Sequence, residues 1–561
     1  IQHEVGQWTF YPDWSETEKY TGNLRARGLE KYRKLAKKRG VYEQNAEFIQ
    51  SSGLQSLALY KENIESFLRT PFCGGFQLLG MQDFSGQGEA LIGWLNAFYE
   101  NKGVVQPEEF RHWCNTTVPL MRTSSYLYSA ADTLKAEIDI LRFDESDLNQ
   151  ASVMWKVVDN AGGEVDSGLF RCDIRNTCLN KLGRIQVPLS SLTGSQKLML
   201  EVSILGTEYK NTWNFWVFPG NKVVLKPSNV LETHSLSEAL SALKLGKSVF
   251  LWAYGLGNDK NAGYALWKPT FWQGGNLGNE GFTNGAVVRK EHPALAEFPT
   301  DHYLDFQWYD ICKGAHGFDM EGLPFSIRPI VQPIHDFHFN RKLGAILEFR
   351  SREGGRILIC GYNLVDNIEN RPAALSLRNS LMRYVASDDF CPVDEVHYDW
   401  IKNQLSDPYA PYLAPDKFEQ ALLYVKAGGR CMQNGVSEWS VEKDAVTFFE
   451  TDKYGYNVVC ESVFSHESLT AWQGKDIRLD LKIPFQFAGS VRLFLCNPSD
   501  KERAGSVLFN GREMAFEIPP GGRWLSLQMN VGEALLGKIA VVLKSTTSDN
   551  LWIGELAVMP E

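Results

Sequence analysis

The hydrophobic period of this chain changes along its length, and no one domain accommodates all of its values. Between about 115 and 219 the period is two: segments 134–140, 153–158, 198–204 and 213–218 alternate apolar and polar residues as half-buried strands do. Asp159-Asn160-Ala161-Gly162-Gly163 supplies a hairpin turn. Short strands punctuated in this way predict an immunoglobulin-like β-sandwich over 115–220.

From 222 onward strand and helix alternate. Val223-Val224-Leu225, a helix over 237–245 and Ser248-Val249-Phe250-Leu251-Trp252 form a βαβ-like start; Arg356-Ile357-Leu358-Ile359-Cys360 then leads to a helix over 373–385. This argues for an open α/β sheet covered on both faces, spanning 221–394. A thiol nucleophile there needs a cysteine at the apex of a glycine-flanked elbow. The candidate turns Gly255-Leu256-Gly257-Asn258 and Gly361-Tyr362-Asn363 have none, and Cys360 reads as strand core. His335-Asp336-Phe337-His338 has metal-ligand spacing only if its loop curls, so a solvated loop or a hydrogen-bonding corner is the expectation. Residues 395–561 are strand-rich again, with alternation over 446–450, 477–483, 491–496, 524–529 and 538–543.

The first 114 residues hold two strand-like runs separated by helix. Glu30 to Lys38 reads as a basic, solvated helix face, and 45–68 carries Phe48, Leu57, Ile64 and Leu68 at helical intervals. A closing helix is expected over 90–99, from Leu91, Trp94, Leu95 and Phe98, and a short one from Pro107. The opening run Gln2-His3-Glu4-Val5 stops near a carboxylate and is followed by Trp8, Phe10, Tyr11 and Trp14. Such a strand end is where a (β/α)8 barrel places its chemistry, which makes Glu4 the first catalytic candidate. The competing reading is an ordinary strand-end carboxylate paired to a cation.

His3-Glu4-Val5-Gly6-Gln7-Trp8 with Tyr11-Pro12, Gly74-Gly75-Phe76-Gln77-Leu78-Leu79, and Gln82-Asp83-Phe84-Ser85-Gly86-Gln87-Gly88 resemble strands seven and eight of the catalytic barrel in multidomain glycoside hydrolase family 2 proteins, the β-galactosidase and β-glucuronidase relatives. Where the better-known β-galactosidases continue with Trp-Asp-Trp, this chain has Leu78-Leu79-Gly80. The resemblance implies that 1–114 is the last part of a (β/α)8 barrel. It further implies a retaining glycosidase acting on plant, algal or host glycans, with Glu4 as nucleophile and the acid/base supplied by an earlier barrel strand outside this chain. His3, Trp8, Tyr11, Gln77, Asp83 and Gln87 become the candidates for sugar contacts, with an oligosaccharide or polysaccharide as substrate and no cofactor or metal. Asn279-Glu280 resembles the family's acid/base pair but lies in a glycine-rich loop of the α/β region, and is not assigned. The 221–394 region is similar to an amidotransferase-like domain of multidomain glycosidases, here without a nucleophile. The last region, 395–561, resembles galactose-binding-like jelly rolls, with Trp439, Tyr454, Tyr456 and Trp472 as aromatics for a sugar. Relatives of this kind imply a periplasmic or secreted bacterial protein, with an N-terminal fragment of the same polypeptide or an oligomer as partners to consider. The alternative is a non-catalytic carbohydrate-binding or scaffolding segment.

Composition narrows the classes. At 561 residues and 44% apolar content the chain holds several domains, each able to bury a core. A net charge of -10 without a long basic run argues against nucleic acid. The 10 cysteines include no CxxC pair, which argues against a zinc or redox cluster; only Cys172 and Cys178 are close enough in sequence for a local bridge. No run reaches the roughly 18 to 20 apolar residues of a membrane span. The chain opens inside a strand pattern without an initiator Met or a signal peptide, so the expectation is the later part of a longer polypeptide or one piece of a cleaved one.

Overall fold

The computed structural model describes residues 1–561 apart from 24, 85–89, 255, 257–261, 268, 273–282, 314, 353, 406–420, 428–429, 434–438, 441–445, 451–454, 466–469, 485–486, 531–536 and 561. β-Sheet dominates, with a smaller share of helix. The residues divide into two compact units, 1–257 with 261–405, and 258–260 with 406–561. Among the described residues no helix is long and apolar enough to cross a membrane.

The first unit opens with strand β1 (Gln2–Val5), which pairs in parallel with β2 (Phe76–Leu78) through Gln2↔Phe76 and Val5↔Leu78. Between them run helices α1 (Arg27–Arg39) and α2 (Asn45–Leu68). On α1, Leu29, Tyr32 and Ala36 are buried while the lysines and arginines stay toward solvent, so hydrophobic spacing sets which face docks. On α2, Phe48, Leu57, Tyr60, Ile64 and Leu68 are buried.

The expected helix over 90–99 does not form. Its backbone groups are taken by other segments: Phe10 N–H donates to Leu91 C=O at 2.8 Å, Leu95 N–H to Met81 C=O at 2.9 Å, and Lys102 N–H to Trp94 C=O at 3.0 Å. Gly93 permits this, since a Cβ there would sit 2.3 Å from the Gln82 carbonyl carbon. The helical spacing had a simpler origin, because Leu91 and Trp94 are both buried in a non-helical path.

Residues 117–218 form a five-stranded sheet and a three-stranded sheet. They enclose one core with Leu134, Ile138, Val153, Val157, Leu200 and Phe215, so the period-two alternation maps onto inward and outward faces. Cys172 and Cys178 are both free thiols.

A seven-stranded sheet follows, in the order Leu231–Thr233, β3 (Ser248–Trp252), β4 (Arg356–Cys360), Ile346–Ser351, Val331–His335, Thr283–Val288, with Glu395–Val396 joining Ile346–Ser351. The first three strands are parallel. Successive residues of β3 and β4 go to opposite faces: Phe250, Trp252 and Leu358 share a core with Leu377 and Leu381 of helix α4 (Pro372–Ala386). Val249, Leu251 and Ile357 share another with Ala239 and Leu243 of helix α3 (Leu236–Lys244). The sheet is thus covered on both faces, the usual condition for parallel strands. The expected strand at 223–225 is absent, because the Asn379 side chain, and no neighbouring strand, takes its backbone: Leu225 N–H donates to Asn379 Oδ1 and Asn379 Nδ2 to Val223 C=O.

In the second unit a strand at Leu551–Pro560 pairs with Leu423–Lys426, Thr470–Gly474 and Gly489–Cys496. Its sheet and a six-stranded sheet enclose a core that includes Leu423, Leu493, Val541 and Ile553.

Candidate active site

Glu4 lies on a short strand whose register against β2 is irregular, and three of four consecutive backbone positions have positive φ: Glu4 at 53°, Gly6 at 93° and Gln7 at 78°. A non-glycine residue held in this region costs about 1 to 3 kcal/mol, so surrounding contacts must hold the turn. They come from α2 and from a distant loop. Gln7 N–H donates to the Tyr60 hydroxyl at 2.9 Å, and that hydroxyl donates to Ile92 C=O at 2.7 Å. Burial pushes the Tyr60 hydroxyl far up from its ordinary value, so it stays protonated and keeps both bonds. Gly6 lies so close to the same ring that a Cβ would stand 1.8 Å from Tyr60 Cε1. From the other side, Trp272 N–H donates to Gln7 C=O at 2.8 Å, and Thr9 Oγ1 donates to Trp272 C=O at 2.7 Å.

The result is an exposed carboxylate on a fixed turn. His3 and Glu4 are both exposed. Gln7 Nε2 lies 3.4 Å from Glu4 Oε2 and 3.3 Å from Glu4 C=O, a long contact that orients the side chain without neutralising it. The competing reading, a carboxylate paired to a cation, finds no ion pair at Glu4 among the described residues. Gln77 is exposed on β2, beside β1. Trp8 is half-buried and packs edge-on against Phe271, ring centroids 5.9 Å apart.

Two of the expected sugar contacts are engaged elsewhere. Tyr11 is 1% exposed, its hydroxyl donates to Asn340 Oδ1 at 2.5 Å, and Phe48 and Trp14 pack edge-on against its ring. No ring face is left for a ligand. Asp83 is buried, accepting from Lys102 Nζ at 2.6 Å and from Gly93 N–H at 3.0 Å. Burial raises its carboxyl against the lowering pull of Lys102, which marks a structural ion pair. Gln87 lies outside the described residues, as does Asn279-Glu280.

Sequence reasoning missed Glu16 and Tyr60. Glu16 is 4% exposed, and burial with the nearby charge of Asp83 raises its carboxyl from 4.5 to about 7. No periodic pattern could have announced Glu16, which lies on the 3-10 turn Trp14–Lys19. Tyr60 was findable, since it sits three residues after Leu57 and four before Ile64 on the buried stripe of α2.

The His335 to His338 segment is a buried hydrogen-bonding corner. Asp336 is fully buried with Oδ1 2.5 Å from His338 Nδ1, and His335 Nδ1 accepts from Arg341 N–H at 3.1 Å. Among the described residues no group of His, Cys, Asp and Glu is arranged to hold a metal. In the second unit, Tyr456 and Trp472 are 2% and 0% exposed, so neither can serve as a surface platform. Tyr454 and the side chain of Trp439 lie outside the described residues.

Residues 231–406 match a family model described as a domain of unknown function, DUF8487, and residues 132–219 match a second, DUF8488. No curated protein matches the chain in sequence. Similar solved structures include a β-glucuronidase from Parabacteroides merdae, at 12% identity over 25% of this chain and 21% of that one, TM-score 0.15. A family 35 carbohydrate binding module from Clostridium thermocellum matches at 14% identity over 22% of this chain and 92% of that one, TM-score 0.15. A cycloisomaltooligosaccharide glucanotransferase from Paenibacillus matches at 9% identity over 78% and 71%, TM-score 0.16. The chain spans about a fifth to a third of the length of the first solved structures it matches. Scores this low define no common fold.

Proposed function

We propose that this chain is the later part of a retaining glycoside hydrolase of the family 2 type, with Glu4 as its nucleophile. One observation carries the reading: an exposed carboxylate with no ion-pair partner among the described residues, on a strand that pairs in parallel with the next, held on a turn of three positive-φ residues. Parallel strand ends in a barrel are where catalytic groups stand, and backbone strain of this kind gathers at functional sites.

In the proposed mechanism Glu4 attacks the anomeric carbon and forms a glycosyl-enzyme. A second carboxyl group about 5 to 5.5 Å away protonates the leaving oxygen and then deprotonates the water that releases the sugar. That acid/base belongs to sequence outside these 561 residues. His3 and Gln77, both exposed, and Trp8 line the approach and contact sugar hydroxyls or the ring. Residues 1–114 complete the barrel; 115–220 form an immunoglobulin-like support, 221–394 an amidotransferase-like domain without a nucleophile, and 395–561 a galactose-binding-like sandwich. The protein acts on glycans in the periplasm or outside the cell.

The test is covalent trapping. Incubating the intact polypeptide with a panel of 2-deoxy-2-fluoro aryl β-glycosides should attach one sugar to the peptide that contains Glu4, read by mass spectrometry. Glu4→Gln should lose both the label and turnover of the parent aryl glycosides. A label on another carboxylate, or a Glu4→Gln protein that turns over as well as its parent, would overturn the assignment.

A further inference from the structure

A cavity of about 170 Å3 lies within the first unit, and neither Glu4 nor its neighbours line it. Its walls come from Ala58 and Lys61 of α2, Trp213 and Asn214 of the strand Lys210–Phe218, and Asp305 and Phe306 of the loop beyond. Aromatic surface is abundant: Phe306 stacks on Tyr126, ring centroids 4.6 Å apart and 12° from parallel, and Trp113 and Trp213 also face the space.

Three charged groups of the wall are already matched. Lys61 Nζ lies 2.5 Å from Glu65 and 4.8 Å from the centroid of the Trp213 ring, filling the position a ligand cation would take. Glu62 accepts from Arg69 at 2.6 Å and from the Tyr126 hydroxyl at 2.7 Å. Asp305, 3% exposed, accepts from Phe306 N–H at 2.8 Å, from the Tyr303 hydroxyl at 3.0 Å and from Asn214 at 3.4 Å. A ligand charge drawn to Lys61, Glu62 or Asp305 would have to displace the partners each already holds.

Two polar groups remain unengaged. Among the described residues neither the Glu109 carboxylate nor the His112 imidazole has a hydrogen-bond or ion-pair partner, and both line the cavity. Burial, reinforced by the nearby positive charges of Lys210 and Lys61, holds His112 below its ordinary value. The ring is therefore neutral near pH 7 and offers one donor and one acceptor. Flat apolar faces, with the neutral His112 ring as donor and acceptor and the exposed Glu109 carboxylate as a further acceptor at the rim, suit a ligand with C–H faces and a hydroxyl edge. Size sets the rest: a cavity of ~150 Å3 holds benzene, so this one holds a single six-membered ring.

We propose that this cavity binds one neutral pyranose residue, as a sugar site independent of Glu4. The test uses the full chain and saturation-transfer NMR with methyl β-D-galactopyranoside, methyl β-D-glucopyranoside and methyl β-D-xylopyranoside, and cyclohexylammonium as the cationic probe. At least one pyranoside should bind saturably in roughly the millimolar range. With the Glu4 site filled by the covalent fluoro-sugar, binding should persist; it should then be abolished by Ala58→Phe, which fills the space, and weakened about fivefold to tenfold by His112→Phe. Thermal melting checks each variant, and where Ala58→Phe does not fold, His112→Phe and Glu109→Leu at the rim decide. The proposal is wrong if no pyranoside binds, if binding survives the filling or rim substitutions, or if cyclohexylammonium binds in place of the sugars.

Discussion

The chain contains two kinds of parallel strand pair, and they are opposites. In β3 and β4 every residue but the first of each strand is buried, and the sequences SVFLW and RILIC are nearly continuous apolar runs. In β1 and β2 only Val5 is buried, and the sequences are QHEV and FQL. Parallel strands ordinarily lie buried on both faces; this pair carries His, Glu and Gln into solvent and keeps only Val5, with Phe76 and Leu78 beside it, packed into a core. It is held from behind, by Tyr60 and by the backbone around Trp272. The first pair is built for stability, and the second sacrifices it to present polar groups.

The comparison breaks most visibly at its buried end. Leu358→Ala in β4 should destabilise the first unit by about 2 to 5 kcal/mol, measured by chemical denaturation, because it opens a void among fully buried neighbours. Gly6→Ala should follow, at about 1 to 3 kcal/mol, since the new methyl meets the Tyr60 ring and the backbone needs φ of 93°. Under the proposed function its signature is a loss of turnover beyond what the loss of stability explains, as the turn that aims Glu4 shifts.

Glu16 sharpens the comparison through pH. Its carboxyl titrates at about 7 in the folded chain against 4.5 when free, so the folded state holds more protons between those values. Stability is then fully present below pH 4.5 and declines as pH rises through about 7, by at most about 3 kcal/mol. Glu16→Gln should flatten this slope in melting temperatures taken from pH 5 to 8. The smallest effect belongs to Gln77→Ala on the exposed strand, which should change stability by no more than about 0.5 kcal/mol; a large loss would show that β2 is buried in the working protein.

Much of the architecture was readable where side chains repeat. The alternation over 134–140 and 198–204 became sandwich faces, and the spacing of Phe48, Leu57, Ile64 and Leu68 became the buried stripe of α2, because burial selects residues at a fixed period. The same rule misled at Leu91 and Trp94, which are buried without a helix, and at 223–225, where Asn379 replaces a neighbouring strand. At the candidate site, sequence could point to Glu4 but could not tell which polar neighbours were free. Asp83 and Tyr11 look like ligands for sugar until their partners, Lys102 and Asn340, arrive from 19 and 329 residues away. Pairings at that separation leave no local trace.

The clamp on Gln7 reaches across the chain as well. Trp272 N–H meets Gln7 C=O, and Thr9 bonds back to Trp272 C=O, some 260 residues along. A version of this protein trimmed to its first 220 residues would retain Glu4 and forfeit the hand that steadies it. Glu4 keeps its turn only where the chain beyond residue 220 folds with it.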